Sequence, residues 1–205
     1  MNNLQNFVAK LKDGIARPSQ FTVAISPPSG LSDFFLDNIN DLMLFCDGTA
    51  LPGIEFMTQD IRITGEVFKA PFEKKYGEIG FNFYVDRNMK IKLFFDRWIE
   101  LVQSTDNRIY TWPEDYRTVV DIYTFDKNGE VRYRVKLNDA YPIAILPILL
   151  NYDSQGIMRM QTIFAYRTYE VEMVTQSTSL KIIPFNFNSG SSGGGIDEYF
   201  GNIFI

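Results

Sequence analysis

The sequence contains no histidine and only one cysteine among its 205 residues. Without histidine, a serine or cysteine nucleophile has no imidazole as its general base, and the commonest metal ligand is also missing. Cys46 has no second cysteine with which to form an intramolecular disulfide or a zinc site. These absences exclude the commonest hydrolase triads, and we expect neither a metal nor a cofactor.

Long apolar runs are missing as well. The most apolar stretch, Tyr141–Leu150, is about ten residues long and contains Pro142 and Pro147, so it is too short to span a bilayer. The N-terminus shows no basic region followed by a continuous apolar segment, which predicts no signal peptide. We therefore expect no membrane partner.

The chain has no basic excess, since 25 acidic residues outnumber 20 basic ones and the net charge is −5. A tight nucleic-acid binder is usually basic, because its affinity comes from many phosphate contacts. The acidity has two interpretations. It keeps the protein soluble, or it lets the protein lie beside DNA without holding it, because like charges repel.

Aromatic residues, by contrast, are abundant, with 18 phenylalanines and 11 tyrosines. Aromatic side chains favour strands and interfaces. Alternating apolar and polar residues predict strands around Phe21–Ile25, Ile61–Ile63 and Glu78–Val85. Further predicted strands are Leu42–Asp47, apolar on both faces with Cys46 buried, and a last long strand over Met160–Val174. The turn formers at its start predict that Pro27–Asn40 is a loop.

Turn and helix signals complete the predicted architecture. Asn128-Gly129 tolerates positive φ and predicts a hairpin between Val119–Phe125 and Glu130–Leu137. A short N-terminal helix follows from the apolar spacing of Leu4, Phe7, Val8, Leu11 and Ile15. One long helix is predicted over about 87–104, capped by Asp86, with the apolar stripe Met89, Leu93, Phe94, Trp98, Leu101 and Val102.

The domain organisation follows from a change in composition near the C-terminus. We expect one mainly antiparallel β domain over 1–176 with a single packed helix. Residues 189–195 read SGSSGGG, a flexible linker composition, and the apolar segment Ile196–Ile205 follows them. The segment 177–205 is therefore predicted to be a linker and a docking arm.

Carboxylate pairs are the remaining catalytic option, because glycoside hydrolysis needs two carboxyl groups across a cleft. Glu170 and Glu172 lie two apart and share a strand face, which is equally typical of a solvated surface. The basic face of Arg132, Arg134 and Lys136 fits a solvated surface or an acidic partner better than nucleic acid. The carboxylate candidates by residue type are Asp60, Glu114, Asp115, Asp121, Glu170 and Glu172.

Three stretches in the same order resemble the tail tube protein of contractile-tailed phages related to the T-even group. They are ARPSQFTVAIS at 16–26, LFCDGTALPGIE at 44–55, and the block from DAYPIAILPILLNYDSQG to MQTIFAYRTYEVE over 139–172. No single motif is specific, since Leu-Pro-Gly alone is weak, but their shared order carries the resemblance. The Pro27–Asn40 insert and the tail after Gln176 depart from the compact form of the family.

This resemblance implies a two-sheet antiparallel sandwich or barrel of the tail-tube type that stacks in hexameric rings. The implied function is a structural, non-enzymatic subunit of a phage tail tube whose lumen conducts DNA. The implied partners are further copies, the tail sheath protein, the baseplate tube initiator, and the tape-measure protein and DNA in the lumen without specific binding. The implied location is the virion tail, assembled in the host cytoplasm. Alternatives are a tube-initiator or baseplate relative, a secretion-system ring protein, or a carboxylate glycosidase.

The resemblance also points to residues for assembly. Leu51–Tyr76 contains several turn formers and predicts a long excursion between strands, which we expect to reach an adjacent subunit or ring. The C-terminal arm is expected to pack on a neighbouring subunit. The candidate assembly residues are Leu51, Pro52, Gly53, Phe68, Lys69, Lys74, Lys75, Tyr199, Phe200 and Phe204.

Overall fold

The computed structural model describes residues 16–32, 39–63, 65–152 and 156–174. The predicted N-terminal helix and C-terminal arm lie outside these ranges. The described strands are β1 (Phe21–Ile25), β2 (Cys46–Thr49), β3 (Ile54–Ile63), β4 (Glu66–Tyr76), β5 (Ile79–Tyr84), β6 (Thr118–Phe125), β7 (Val131–Ile145), β8 (Arg159–Ala165) and β9 (Thr168–Met173). The described helices are a 3₁₀ turn (Ser29–Leu31), α1 (Ile39–Phe45), α2 (Lys90–Val102) and α3 (Pro113–Tyr116).

The main sheet has the order β1-β6-β7-β8-β5-β2, with β9 also paired to β7, and each of these pairings is antiparallel. Strand β7 is long enough to belong to two half-sheets. Its first part pairs with β6 and β9, and its second part pairs with β8. The apolar faces of both halves contribute to one core. The predicted mainly β, two-sheet antiparallel fold is thereby confirmed.

The two half-sheets meet at a corner where both paired chains bend together. Asp139 in β7 has a positive φ of 54°. Opposite it, β8 ends and β9 begins around Arg167, whose backbone N–H donates to the carbonyl oxygen of Asn138 at 3.0 Å. The Arg167 guanidinium also lies 2.8 Å from the Asp139 carboxylate. The predicted continuous strand over Met160–Val174 is therefore wrong, because the corner divides it into β8 and β9.

Local patterns explain most of the remaining strands. Ile79, Phe81 and Phe83 are buried as their alternation predicts. The hairpin between β6 and β7 also forms as predicted, with Gly129 at φ 80°. The Asp126 carboxylate accepts hydrogen bonds in this turn from the backbone N–H groups of Asn128 and Glu130. Hydrogen bonding to Arg132 lowers the pKa of Asp126.

The strand predicted over Leu42–Asp47 is wrong, because Ile39–Phe45 is helix α1 and only Cys46–Thr49 is strand β2. A short apolar run fits either structure, and here Leu42 and Phe45 meet the core at helical spacing while Leu44 is 68% exposed. Cys46 does lie in a strand. Burial raises the pKa of its thiol to about 12.

Helix α2 confirms the long predicted helix, but its buried face differs from the predicted stripe. Ile91 and Phe95 are buried with Phe94 and Trp98, whereas Met89 and Leu93 are largely exposed. The helix begins at Lys90 rather than 87, after Met89 at φ 57°. Asp86 is not the N-cap residue, although its carboxylate accepts hydrogen bonds from the N–H groups of Asn88 and Ile91. None of the described helices combines the length and apolar character needed to cross a bilayer.

Candidate assembly surfaces

Strands β3 and β4 form a hairpin that is separate from the main sheet. They pair with each other from Ile54 opposite Tyr76 to Ile63 opposite Glu66, and the described part of the chain adds no third strand to them. Gly65 supports the turn at its tip with a positive φ of 97°. At about 3.4 Å per residue, the ten-residue strand β3 is about 34 Å long. We call β3 and β4 together the projecting hairpin.

The projecting hairpin exposes large apolar side chains on both strands. A two-stranded hairpin alone in water is marginally stable, and soluble monomers rarely expose contiguous apolar patches of this kind. The apolar residues exposed on the hairpin are Ile54, Phe56, Met57, Ile61, Val67, Phe68 and Phe72. These features indicate a surface that is covered in an assembly.

The lysines predicted as assembly residues lie on this hairpin. Lys69 is directly opposite Asp60, and Lys75 is directly opposite Glu55. The Lys74 ammonium lies 5.0 Å from the centroid of the Tyr76 ring. Opposite charges across a strand pair stabilise it, so these lysines support the hairpin itself.

The base of the hairpin is fixed to the body of the molecule by aromatic contacts. The Tyr76 ring centroid lies 6.1 Å from that of Tyr166 and 5.8 Å from that of Tyr169, both edge to face. Leu51–Gly53 connects β2 to β3, and a Cβ built on Gly53 would meet no described atom within 4 Å beyond its own and the adjacent residues. The connection into β3 is therefore open around Gly53, whereas Tyr76 packs the end of β4 against the body of the molecule.

The structure brings together part of the predicted assembly set. Phe68, Lys69, Lys74 and Lys75 share the projecting hairpin, and the connection Leu51–Gly53 leads into it. Tyr199, Phe200 and Phe204 lie outside the described residues. The sequence analysis missed Phe56 and Phe72, which are exposed on the same hairpin; each stands next to a glutamate, Glu55 and Glu73, within the predicted excursion.

The carboxylate candidates do not form an acid and base pair across a cleft. Asp60 lies on the projecting hairpin, whereas Glu114 and Asp115 are in the first turn of α3. Glu170 accepts a hydrogen bond from the Asn138 amide at 2.9 Å. In the described ranges, no three His, Cys, Asp or Glu side chains lie close enough together to hold a metal ion.

Asp121 and Glu172 are the two carboxylates that the fold does bring together, on either side of Arg134. The guanidinium donates to both oxygens of Asp121 at 3.0 and 3.2 Å and to Glu172 at 3.2 Å. Hydrogen bonding to Asp121 is the main reason that the pKa of Arg134 is raised. Arg132 pairs in the same way with Asp126 and Glu130. The predicted basic face is thus matched by acidic groups of its own chain.

Comparison with known proteins agrees with this geometry. The family model described as "phage tail tube protein" matches residues 16–172. The chain belongs to this phage tail tube protein family, which is a family of structural tube subunits. The predicted resemblance, the structural role and the non-enzymatic character are confirmed by this membership. No curated protein matches the sequence.

Solved structures of contractile injection systems share the fold. A chain of the PVC sheath–tube complex in the extended state aligns with a TM-score of 0.59 and 15% identity, covering 85% of this chain and 99% of that one. The tube-terminating cap of the anti-feeding prophage aligns with 0.58 and 15%, covering 78% and 92%. A chain of the six-fold symmetrised anti-feeding prophage baseplate aligns with 0.57 and 13%, covering 78% and 96%.

Proposed function

We propose that this tube subunit assembles into six-membered rings, which stack into the tube of a contractile tail and enclose a lumen for DNA. The observation that carries this proposal is the projecting hairpin, an extension of about 34 Å that exposes apolar side chains and pairs with no other strand in the described part of the chain. A head-to-tail contact that does not close on itself generates an open stack, as a tube requires. The hairpin supplies one side of such a contact.

The proposed partners outside the tube are the sheath protein and the baseplate tube initiator. The sheath partner is supported by the shared fold with the PVC sheath–tube complex. The proposed contents of the lumen are the tape-measure protein and then DNA during ejection, without specific binding. A net charge of −5 per subunit favours passage over retention, because the DNA backbone is also negative. The proposed place of assembly is the host cytoplasm, and the proposed final location is the tail tube of the virion.

Electron microscopy of the purified full chain tests the proposal directly. Rings with six-fold symmetry, or hollow tubes built from them, are the expected particles. A protein that stays monomeric at every concentration and salt condition would contradict the proposed assembly.

The role of the hairpin is tested by replacing Phe68–Lys75 with a short turn. We expect a soluble, folded subunit that does not polymerise, because β3 loses most of its pairing partner and the hairpin loses Phe68 and Phe72, while none of the replaced residues belongs to the core. The thermal unfolding midpoint reports on folding, and sedimentation with microscopy reports on tubes. A matched control is Ile109→Ala, which shortens an apolar side chain that is 63% exposed elsewhere. Tubes of normal length from the shortened variant would show that the hairpin is not the contact.

A second candidate function is that of a component at one end of the tube. It is supported by the similar TM-scores to the tube-terminating cap and to the baseplate chain. The two functions predict different particles. A main tube subunit forms stacks of open-ended length, whereas an end component stops at one ring or a short stack.

A further inference from the structure

The turn between β6 and β7 contains the only asparagine in the sequence that a glycine follows. Asn128 and Gly129 are both exposed at the end of the hairpin. A Cβ built on Gly129 would meet no described atom within 4 Å beyond its own and the adjacent residues. Because glycine has no side chain, its backbone nitrogen is the least hindered one that can follow an asparagine, and water reaches both residues. These features distinguish Asn128 from the other asparagines as a candidate for covalent modification.

The reaction open to such a pair is deamidation through a cyclic imide. The Gly129 nitrogen gives up its proton to solvent and attacks the side-chain carbon Cγ of Asn128. A C–N bond forms, the Cγ–Nδ2 bond breaks, and the amide nitrogen leaves as ammonia. Water then opens the five-membered imide at one of its two carbonyl carbons, which yields aspartate or isoaspartate. Water is the only co-reactant, and no group is oxidised or reduced.

The folded turn holds the reacting atoms apart. The Gly129 N–H donates to the carbonyl oxygen of Asp126 at 3.1 Å, which closes a four-residue turn with Asn128 in its third position. Neither Lys127 nor Asn128 has a positive φ, which is the pattern of a type I turn. In that turn ψ of the third residue is about 0°. The Gly129 nitrogen therefore lies beside the backbone nitrogen of Asn128, whereas closure of the imide ring requires it beside the Asn128 Cβ.

The side chain of Asp126 fastens this conformation. One of its carboxylate oxygens accepts hydrogen bonds from the backbone N–H of Asn128 at 2.7 Å and from that of Glu130 at 3.2 Å. The other oxygen accepts two hydrogen bonds from the Arg132 guanidinium, at 3.1 and 2.7 Å. A single carboxylate thus ties down the backbone on both sides of Gly129, and Arg132 in turn orients that carboxylate.

We infer that Asn128 is a site of spontaneous deamidation and that the Asp126 carboxylate sets its rate. The reaction proceeds from the fraction of molecules in which the turn is open, because only there does the Gly129 nitrogen reach Cγ of Asn128. Hydrogen bonds that close the turn reduce this fraction, and their loss increases it. The inference does not depend on the proposed assembly.

Either product alters the hairpin. A carboxylate at position 128 changes the net charge of the chain from −5 to −6 and lies in the same turn as Asp126 and Glu130. Isoaspartate in addition routes the backbone through Cγ, which inserts one carbon into the tight turn. The hydrogen bond from the Gly129 N–H to Asp126 cannot keep its geometry in such a backbone, so isoaspartate should loosen the end of the hairpin.

The test follows the peptide that contains position 128 by chromatography and mass spectrometry while the full-length protein is aged in mildly alkaline buffer. Asp126→Ala is expected to speed deamidation at least about fivefold, because it removes two hydrogen bonds that close the turn. Glu130→Ala is the matched control. It also removes a carboxylate that pairs with Arg132, at 3.1 Å, but leaves both N–H groups bonded to Asp126, so its rate should equal that of the wild type.

Two internal references accompany the variants. Asn107 is equally exposed but precedes Arg108, and it should react more slowly than Asn128 in every sample. The urea-unfolded wild type should deamidate at Asn128 faster than the folded wild type, a comparison that needs no variant to fold. Equal rates at Asn128 in the folded wild type, in Asp126→Ala and in the unfolded chain would overturn the role of Asp126. An Asn128 that stays intact in Asp126→Ala and in urea, or that never outpaces Asn107, would overturn the site itself.

Discussion

The two tryptophans of this chain offer a matched pair of substitutions that separates the core from the surface. Trp98 in α2 is fully buried, and its ring centroid lies 5.3 to 6.2 Å from those of Phe94, Phe95 and Phe164. Its indole N–H donates to the carbonyl oxygen of Tyr116 at 2.8 Å. Trp112, by contrast, is 80% exposed. Replacing each by alanine removes the same atoms from two different environments.

The magnitudes follow from these environments. Trp98→Ala leaves a large cavity and should lower the free energy of unfolding by about 3–5 kcal/mol. Trp98→Phe keeps most of the ring contacts but leaves the buried Tyr116 carbonyl without its donor, which costs about 1–3 kcal/mol. Trp112→Ala should change stability by less than about 0.5 kcal/mol, because the side chain meets mainly water.

Urea unfolding followed by far-UV circular dichroism measures these differences, at concentrations where wild type and variants are unassembled. The backbone dominates far-UV dichroism, so the transition can be followed in variants that lack a tryptophan. Equal losses for Trp98→Ala and Trp112→Ala would refute the packing described for α2. A Trp98→Phe variant as stable as the wild type would refute the role given to the hydrogen bond.

Two further predictions concern the thiol and the C-terminal segment. Since burial raises the pKa of Cys46 to about 12, iodoacetamide should label the folded protein at pH 8 far more slowly than the urea-unfolded protein, and equal rates would contradict this. The folded state also retains that proton longer than the unfolded state, so the thiol's contribution to stability should be lost as pH rises from about 9 to about 12. Removing Gly193–Ile205, the proposed docking arm, should weaken tubes on dilution or heating while leaving the unfolding midpoint of the monomer unchanged; tubes of equal stability would show that the arm does not dock.

Local features of the sequence predicted much of the fold because they depend on near neighbours in the chain. The period-two alternation around Ile79–Tyr84 predicted β5 and its buried face. Asn128-Gly129 predicted the hairpin between β6 and β7, since positive φ is a property of the turn residues themselves. Phe68 and Lys69 were correctly placed on a long excursion, because turn formers bracket that segment.

Long-range packing decided what the sequence alone did not. Leu42–Phe45 joined a helix because its side chains met the core at helical spacing, and a short apolar run by itself is ambiguous. Met89 and Leu93 stayed exposed because Ile91 and Phe95 faced the sheets.

The corner and the projecting hairpin depend on tertiary structure in the same way. Asp139 and Arg167, which are 28 positions apart in the sequence, meet at the corner that divides one predicted strand into two. The sequence by itself determined the strand-rich class through local alternation, and its resemblance to the tail tube family implied the structural, non-enzymatic role. Only the folded chain set the projecting hairpin apart from the main sheet, with Tyr76 packed against Tyr166 and Tyr169, because that arrangement depends on which distant strands pair.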